Sequence, residues 1–409
     1  MASFGDAFLE ALLLGAGYNA TLVTLGATVL GGAAGAAGTF LLLRKRAMVS
    51  DAMAHATLPG VGIAFLAAFA LGFDGRNLAL LMLGSAVSAG IGLVAVDAMV
   101  RRTRLSEDAA IGAVLSTFFG LGIVLLSFIQ SLPSGKKAGL QSLLLGSTAG
   151  MLYADAVLIL VLAGAIALLI LVLRRPFTLV AFDADQARLM GWPVRWIDLA
   201  LLGVTLGVVV VGLKVVGLIL IVAMLIIPGV CARLWSDRID VMVLAAAAVG
   251  AVSAYVGVAL SAAAPRVPTG AVIVLVCFAA FLVSLVVAPG RGVLAQALKA
   301  RDLSARVHLR QGLLALGHGE RILDPLTLAV MTRGGLIRAD GLPTERGRTE
   351  AAKALRDEKR WEAARDMHPE AAFSQRYLGL DPIESVLSPD EIILIDRSIG
   401  AALAAAVRR

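Results

Sequence analysis

Apolar residues fill positions 1–307 in long stretches separated by short basic breaks, whereas positions 308–409 mix charged and apolar residues. A helix needs about 20 mostly apolar residues to cross a hydrocarbon core of about 30 Å. About nine stretches are long enough, although only Lys214 and Gly217 divide the sixth from the seventh, which predicts a tight hairpin. The predicted spans are about 18–43, 51–72, 78–100, 109–129, 154–173, 197–216, 217–234, 241–263 and 271–288.

The composition supports this interpretation. The chain is 59% hydrophobic and 16% charged, with a mean hydropathy of +0.89, which a soluble protein of 409 residues would not have. Cys231 and Cys277 stand singly in apolar runs, so they indicate neither a disulfide framework nor a zinc cluster. Asp6 and Glu10 lie near an N-terminus without Lys or Arg, so no signal peptide is expected.

Small residues recur every three or four positions in the first and third spans. Such residues let helices approach closely in lipid, so we expect both spans to pack tightly against neighbours. They are Gly31, Gly32, Gly35 and Gly38 in the first span and Gly84, Ser88 and Gly92 in the third.

The distribution of Lys and Arg predicts the orientation. With nine spans, the basic breaks at 44–46, 101–104, 174–195, 233–238 and 291–306 all fall on one side. The positive-inside rule makes that side cytoplasmic, so we expect the N-terminus outside and residues 308–409 in the cytoplasm. The few basic residues on the other side are Arg76, Lys136, Lys137, Lys214 and Arg266.

Two polar residues open the second span. Asp51 and His55 are four positions apart and so lie on one face of a helix. A carboxylate with an imidazole suits a divalent metal such as Zn, Mn or Fe(II). Pro59 has no N–H, so it would free the carbonyl of His55 as a further oxygen ligand. From the residues alone, Asp51 could instead cap the helix, and His55 could be a hydrogen-bonded interior histidine.

A second proline occurs inside the seventh span. Pro228 would free the carbonyl of Met224, and broken helices at membrane depth are tolerated where they line a cavity. One hypothesis is that the carbonyl or thioether of Met224 faces a transport path. The alternative is a kink packed against neighbouring helices.

A polar break separates the fifth and sixth spans, where residues 182–196 read FDADQARLMGWPVRW. Asp183 or Asp185 can cap a short helix over 186–190, and Gly191 with Pro193 can end it. Such a helix could be a docking surface on the cytoplasmic side, or an ordinary loop helix at the membrane surface.

The pattern around Asp51 resembles the signature of the permeases of zinc, manganese and iron ABC importers. Residues 50–56 read SDAMAHA and residues 58–60 read LPG; Ser50, Met53 and Ala54 depart from the family pattern. The resemblance implies an ABC importer permease fold, in which Asp51 and His55 line the metal path.

Further stretches carry the same resemblance. The segment containing Asp183, Asp185, Gln186, Ala187 and Gly191 is similar to the coupling helix that seats in the ATPase of an ABC transporter. Residues 138–146, together with 151–152 and Asp155 farther along the chain, resemble the manganese and iron branch of the family more than the zinc branch. The other matches are SEDAAIG at 106–112, VVGL at 215–218 and LIIP at 225–228.

Residues 308–409 are expected to form a cytoplasmic domain. Candidate helices at 308–315, 324–333 and 344–364, with a hairpin at 338–343, resemble the DtxR-like winged-helix extension of some manganese and iron permeases. Residues 342–348 read LPTERGR, with Pro343 inserted into the extension's pattern. Basic and acidic residues are equal in number here, so DNA binding is disfavoured and a regulatory or structural role is expected. His308, His318 and His368 are too scattered to indicate a metal site.

The chain contains no G-x-x-x-x-G-K-[ST] phosphate loop, so ATP hydrolysis would need a separate subunit. The expected function is therefore a non-catalytic permease, with domains at 1–307 and 308–409, in the bacterial cytoplasmic membrane. No permanently bound cofactor is expected. The expected partners are ABC ATPases, a second permease copy or paralogue, and an external metal-binding protein. The alternatives are an ion-coupled secondary transporter and a membrane-tethered metal-responsive regulator.

Overall fold

The structure is a computed structural model that divides into two compact units, residues 1–295 and 296–409. It describes residues 4–15, 17–71, 77–131, 153–264, 267–338, 340–367, 380 and 382–407. The manganese-branch stretch at 138–146 with 151–152, and the basic residues Arg76, Lys136, Lys137 and Arg266, lie outside the described residues, as does His368.

The described residues of the first unit form helices joined by short connections. Eight of its helices are long and apolar enough to cross a membrane, and a ninth, α9, is shorter. The helices are α1 (Phe4–Leu12), α2 (Tyr18–Leu43), α3 (Ala47–Ala70), α4 (Leu78–Arg102), α5 (Glu107–Ser131), α6 (Tyr153–Phe182), α7 (Ala184–Leu189), α8 (Val194–Val215), α9 (Leu218–Trp235), α10 (Ile239–Ala263) and α11 (Thr269–Val287).

The predicted hairpin between the sixth and seventh spans is confirmed. Gly217 ends α8 and precedes α9 with φ +94°, a left-handed conformation that side chains other than glycine rarely adopt. A Cβ at Gly212 would collide with the side chain of Ile221, so the two limbs of the hairpin approach closely.

Small residues bring α2 into close contact with two neighbours, as predicted. A Cβ at Gly31 would collide with the backbone of Gly250 on α10, and one at Gly38 would collide with the carbonyl of Leu225 on α9. Because these positions lack side chains, helix backbones meet in the middle of the unit. Helix α2 also packs on α6, so it is the central helix of this unit.

Helix α1 was not expected from the pattern. It is short and packs on α10, where the hydroxyl of Tyr255 donates a hydrogen bond to the carbonyl of Leu12. That bond ties the first helix to the rest of the unit.

Helix α12 (Val293–His318) lies mostly in the second unit, which also contains α13 (Pro325–Arg333), α14 (Glu345–Met367), a short 3-10 turn (Ile383–Ser385) and α15 (Pro389–Val407). The described part has one isolated antiparallel bridge, Ile337 to Pro343, and no strand. The predicted winged-helix α+β fold is therefore not supported. Pro343 lacks an N–H, so the bridge cannot extend into a ladder on that side.

Helix α12 corrects a second expectation, since it begins at Val293 and not at His308. Residues 291–306 were predicted only as a basic break on the cytoplasmic side, but Lys and Arg are good helix formers. Farther along, two apolar clusters form the cores of this unit. One contains Met331, Leu336 and Ile337, and the other contains Trp361, Ile383 and Ile395.

Candidate functional site

Asp51 and His55 come together on α3. The Nε2 atom of His55 lies 3.5 Å from Oδ1 of Asp51, and the side chains are 18% and 41% exposed, respectively. Helix α3 begins at Ala47 and its N-cap is Arg46, so Asp51 lies one turn inside the helix. The alternative that Asp51 caps this helix is therefore wrong. A carboxylate kept partly open beside an imidazole can offer both groups to a passing ion.

The surroundings of His55 leave one ring nitrogen without a hydrogen-bond partner among the described residues. The ring stands edge-to-face on Phe119 of α5, with ring centroids 5.0 Å apart and planes at 85°. Its Nδ1 atom is buried and has no hydrogen-bond partner among the described residues. A buried polar atom without a partner is uncommon and unfavourable. This finding disagrees with a fully hydrogen-bonded interior histidine, and the role of His55 as a metal ligand stays a prediction.

Pro59 lies inside α3, one turn after His55, and is buried. Because proline has no N–H, the carbonyl of His55 lacks its usual helical donor there. The hydroxyl of Thr57 donates a hydrogen bond to the carbonyl of Ala54 within the same part of the helix. The site therefore combines a carboxylate, an imidazole and a backbone carbonyl on adjacent turns of one helix.

Close packing fixes this part of α3 between two helices. A Cβ at Gly60 would collide with the carbonyl of Gly84 on α4, and one at Gly122 on α5 would collide with the Leu58 side chain. A Cβ at Gly92 would lie 2.8 Å from that of Ala56, so the predicted tight packing of the third span is confirmed. The position of the Asp51 and His55 pair depends on these contacts.

The described residues contain no group of three or more His, Cys, Asp or Glu side chains that could hold a metal ion. The pair therefore offers two side-chain ligands. Few ligands favour brief coordination, since an ion that must move on cannot be held tightly.

Met224 and Pro228 lie in α9, where they pack against α2. Met224 is 1% exposed and belongs to the large apolar core of the unit, and Pro228 is buried close to Gly35. This placement agrees with a packed kink. A role for Met224 in a transport path stays a prediction.

The polar break forms the short helix α7, as the pattern predicted. Asp183 is its N-cap, and the carboxylate accepts hydrogen bonds from the N–H groups of Asp185 and Gln186, both at 2.9 Å. Gly191 follows with φ +81°, and its N–H donates to the carbonyl of Arg188. The start and the end of α7 are therefore determined by Asp183 and Gly191.

One face of α7 is packed against the neighbouring helices, and the opposite face is exposed. Ala187 is fully buried between Val180 and Val194, whereas Asp185, Gln186 and Arg188 are exposed and Leu189 is 84% exposed. Large apolar side chains around it are also exposed, which makes a surface suited to another protein or to the lipid interface. These side chains are Phe182, Met190, Trp192 and Trp196.

Sequence reasoning missed a cluster of charges beside this helix. Arg44, at the end of α2, bonds both to the carbonyl of Val180 and to Asp198 of α8. These residues are more than 130 positions apart, so no local pattern could have shown the contact. The available signal was an acid, Asp198, near the start of an apolar stretch.

A scan against family models matches residues 18–288 to the ABC 3 transport family. The chain belongs to this family. It is 39% identical over 299 residues to a manganese transport system membrane protein of Bacillus subtilis, covering 73% of this chain and 67% of that one. It is 38% identical over 287 residues to a zinc transport system membrane protein of Treponema pallidum, covering 70% and 95%.

A solved structure has the same fold. PsaBC from Streptococcus pneumoniae in complex with Fab aligns with a TM-score of 0.61 and 29% sequence identity, covering 72% of this chain and 98% of that chain. The ABC permease type expected from the sequence is therefore confirmed for the first unit.

Proposed function

We propose that this chain is the membrane-spanning permease subunit of an ATP-driven importer of divalent transition metal ions. The observation that carries the proposal is the pair Asp51 and His55, held on a tightly packed helix with a free imidazole nitrogen. Family membership and relatives whose names describe manganese and zinc transport support it. The subunit moves the ion and performs no covalent chemistry.

In the proposed mechanism the ion is the cargo and is coordinated briefly. The Asp51 carboxylate attracts the cation, and His55 replaces part of its hydration shell. The freed carbonyl of His55 adds an oxygen once the helix reorients. Because the pair supplies two side-chain ligands, the ion stays exchangeable and can leave toward the cytoplasm.

Manganese or iron is the favoured cargo, with zinc as the alternative. A carboxylate with a carbonyl suits Mn(II), while an imidazole suits Fe(II) and Zn(II) as well. The relatives named for manganese and for zinc are 39% and 38% identical to this chain, so their names do not choose between the metals. Competition between the three ions for uptake would decide.

The proposed energy source is a pair of separate ABC ATPase subunits that dock on α7. Charged and apolar side chains are exposed together there, as a protein interface requires.

Leu189→Glu should prevent the ATPase from copurifying with the permease, because it places a charge in the docking surface. Leu13→Glu is the matched control, since Leu13 is 79% exposed in the turn between α1 and α2, outside the membrane-crossing helices. Equal loss of the ATPase in both variants would contradict the assignment.

The remaining partners follow from the importer assignment. We propose a second permease copy or a paralogue, an external metal-binding protein that delivers the ion, and the bacterial cytoplasmic membrane as the location. The N-terminus would lie outside and residues 308–409 in the cytoplasm. For those residues we propose a regulatory or structural role, because balanced charge does not favour DNA.

The test of the function is uptake into lipid vesicles containing the permease with its ATPase. We expect accumulation of manganese, iron or zinc that requires ATP and the external binding protein, and that persists when ionophores dissipate ion gradients. Uptake that follows an ion gradient without ATP would favour the secondary transporter. The structure weakens that alternative, because Asp97 forms an ion pair with Arg101 at 2.7 Å on the same helix.

A further inference from the structure

A cluster of partly buried charges joins the segment around α7 to the helix that carries Asp51 and His55. Its centre is the ion pair between Arg44 and Asp198, with 2.8 Å between Nη2 and Oδ2. The two side chains are 17% and 15% exposed, so the pair is largely removed from water. An ion pair of this kind is weak evidence for added stability, because desolvation offsets the attraction. The Arg44–Asp198 pair is therefore better explained by a role other than stabilising the fold.

Arg44 contacts both flanks of the α7 segment. One guanidinium nitrogen donates to the carbonyl of Val180, in the last turn of α6, at 3.1 Å. Another donates to Asp198, in the second turn of α8. Residues 183–193 lie between these two points. A planar guanidinium can hold two acceptors at a fixed angle, which an ammonium group cannot do.

Arg44 is also connected to α3 by a short, defined turn. Lys45 adopts φ +57°, and the N–H of Arg46 donates to the carbonyl of Leu41 at 2.9 Å. This is the left-handed helix ending that usually uses glycine, here built with a lysine. A turn of this kind is short and hydrogen-bonded, so it restricts movement of α3 relative to α2.

Arg46 extends the cluster to α3 itself. It is the N-cap residue of α3, and its guanidinium lies 3.7 Å from Asp198 and 3.5 Å from Glu107 of α5. Asp51 follows five residues later, about 7.5 Å along the helix axis at a rise of about 1.5 Å per residue. Asp198 therefore contacts both Arg44, at the end of α2, and Arg46, at the start of α3.

We propose that Arg44 and Asp198 are positioning residues that couple movement of the α7 segment to movement of α3. The inference rests on the proposed function. When a partner shifts α7, both flanks move with Arg44 and Asp198, and the turn at Lys45 passes the displacement to α3. Two distant sites can be coupled through packed helices and ion pairs when both sites change the position of the same element. The pair Asp51 and His55 moves with α3.

The test uses the complete complex of permease and ATPase in lipid vesicles and measures ions taken up per ATP hydrolysed. Asp198→Asn removes the charge, and Arg44→Lys keeps the charge while losing one of the two contacts. Asp97→Asn is the matched control, because it breaks an exposed ion pair on α4. We expect at least about a fivefold fall in the ratio for both test variants, the lower end of typical coupling between sites, and no change for the control.

Two further measurements separate coupling from folding. The fraction of assembled complex and its melting temperature should stay near those of the parent for Arg44→Lys, while ATP hydrolysis continues. An unchanged ratio in both test variants would overturn the inference, and so would a fall in uptake explained entirely by lost assembly. If the parent complex shows no ATP-dependent uptake, the proposed function fails instead, so the two failures are distinguishable.

Discussion

Packing between α3 and α4 should control both the stability of the membrane unit and transport, and Gly84 tests this most sharply. A Cβ at Gly84 would lie 2.6 Å from the Cβ of Ala64 and 2.6 Å from the carbonyl oxygen of Gly60. Ordinary carbon contacts need about 3.5 Å, so the helices must part by about 1 Å. Both obstructing atoms belong to the backbone or to a Cβ, so no side-chain rotation can relieve the contact.

Gly84→Ala should therefore destabilise the unit by about 1–3 kcal/mol, the usual effect of overpacking. Gly90→Ala on the same helix is the matched control, since a Cβ there meets nothing within 4 Å. Replacing a glycine within a helix by alanine at an open position should stabilise by about 0.5–1 kcal/mol. The two variants make the same chemical change on one helix, so their difference isolates the contact with α3.

The assay is unfolding of the full chain in mixed micelles with increasing denaturing detergent, followed by circular dichroism. Metal uptake by the complex is measured in parallel. We expect Gly84→Ala to unfold at lower detergent than the parent and to transport more slowly, because displacement of α3 moves Asp51 and His55. Equal stability of Gly84→Ala and Gly90→Ala would refute the packing argument.

Two further predictions concern local electrostatics and capping. Arg360 lowers the pKa of the Asp396 carboxyl through two hydrogen bonds, so this pair should stabilise the second unit above about pH 4 and lose that effect as pH falls through the lowered pKa. Hydrogen exchange of α14 in the full chain should be faster in Asp396→Asn than in the parent at pH 7, with the difference shrinking in acid; a difference that stays constant as the pH is lowered would contradict this. Asp183→Ala should weaken α7 by about 1 kcal/mol and reduce ATPase binding, because the N-cap bonds are lost. Asp183→Ser keeps an oxygen that can accept from the N–H groups of Asp185 and Gln186 and should bind the ATPase nearly as well, as a pull-down would show; equal loss in both would contradict the capping argument.

The sequence predicted those features that depend on neighbours in the chain. Apolar length predicted the long helices, and the limits of α7 followed from Asp183 and Gly191, whose capping chemistry is local. The contact of Gly60 with Gly84 was indicated only as a tendency to pack closely. Which helix meets which depends on the whole unit.

Contacts between distant residues could not be predicted in the same way. Arg44 was interpreted as part of a basic break, and its pairing with Asp198 depends on how α2 and α8 pack. The edge contact of His55 with Phe119 likewise needs α3 and α5 in place. In the second unit, the expected hairpin is reduced to one bridge at Pro343, whose missing N–H is a local property that the sequence does show.

The most direct test of the central claim is the initial rate of ATP-dependent manganese uptake by vesicles containing the complex, for Asp51→Asn and for His55→Gln. Each change keeps the shape of the side chain while removing its ability to bind a metal strongly. We predict that both variants assemble and hydrolyse ATP but take up manganese no faster than vesicles without ATP. Uptake at the parent's rate in either variant would contradict the assignment of that residue as a ligand of the passing ion.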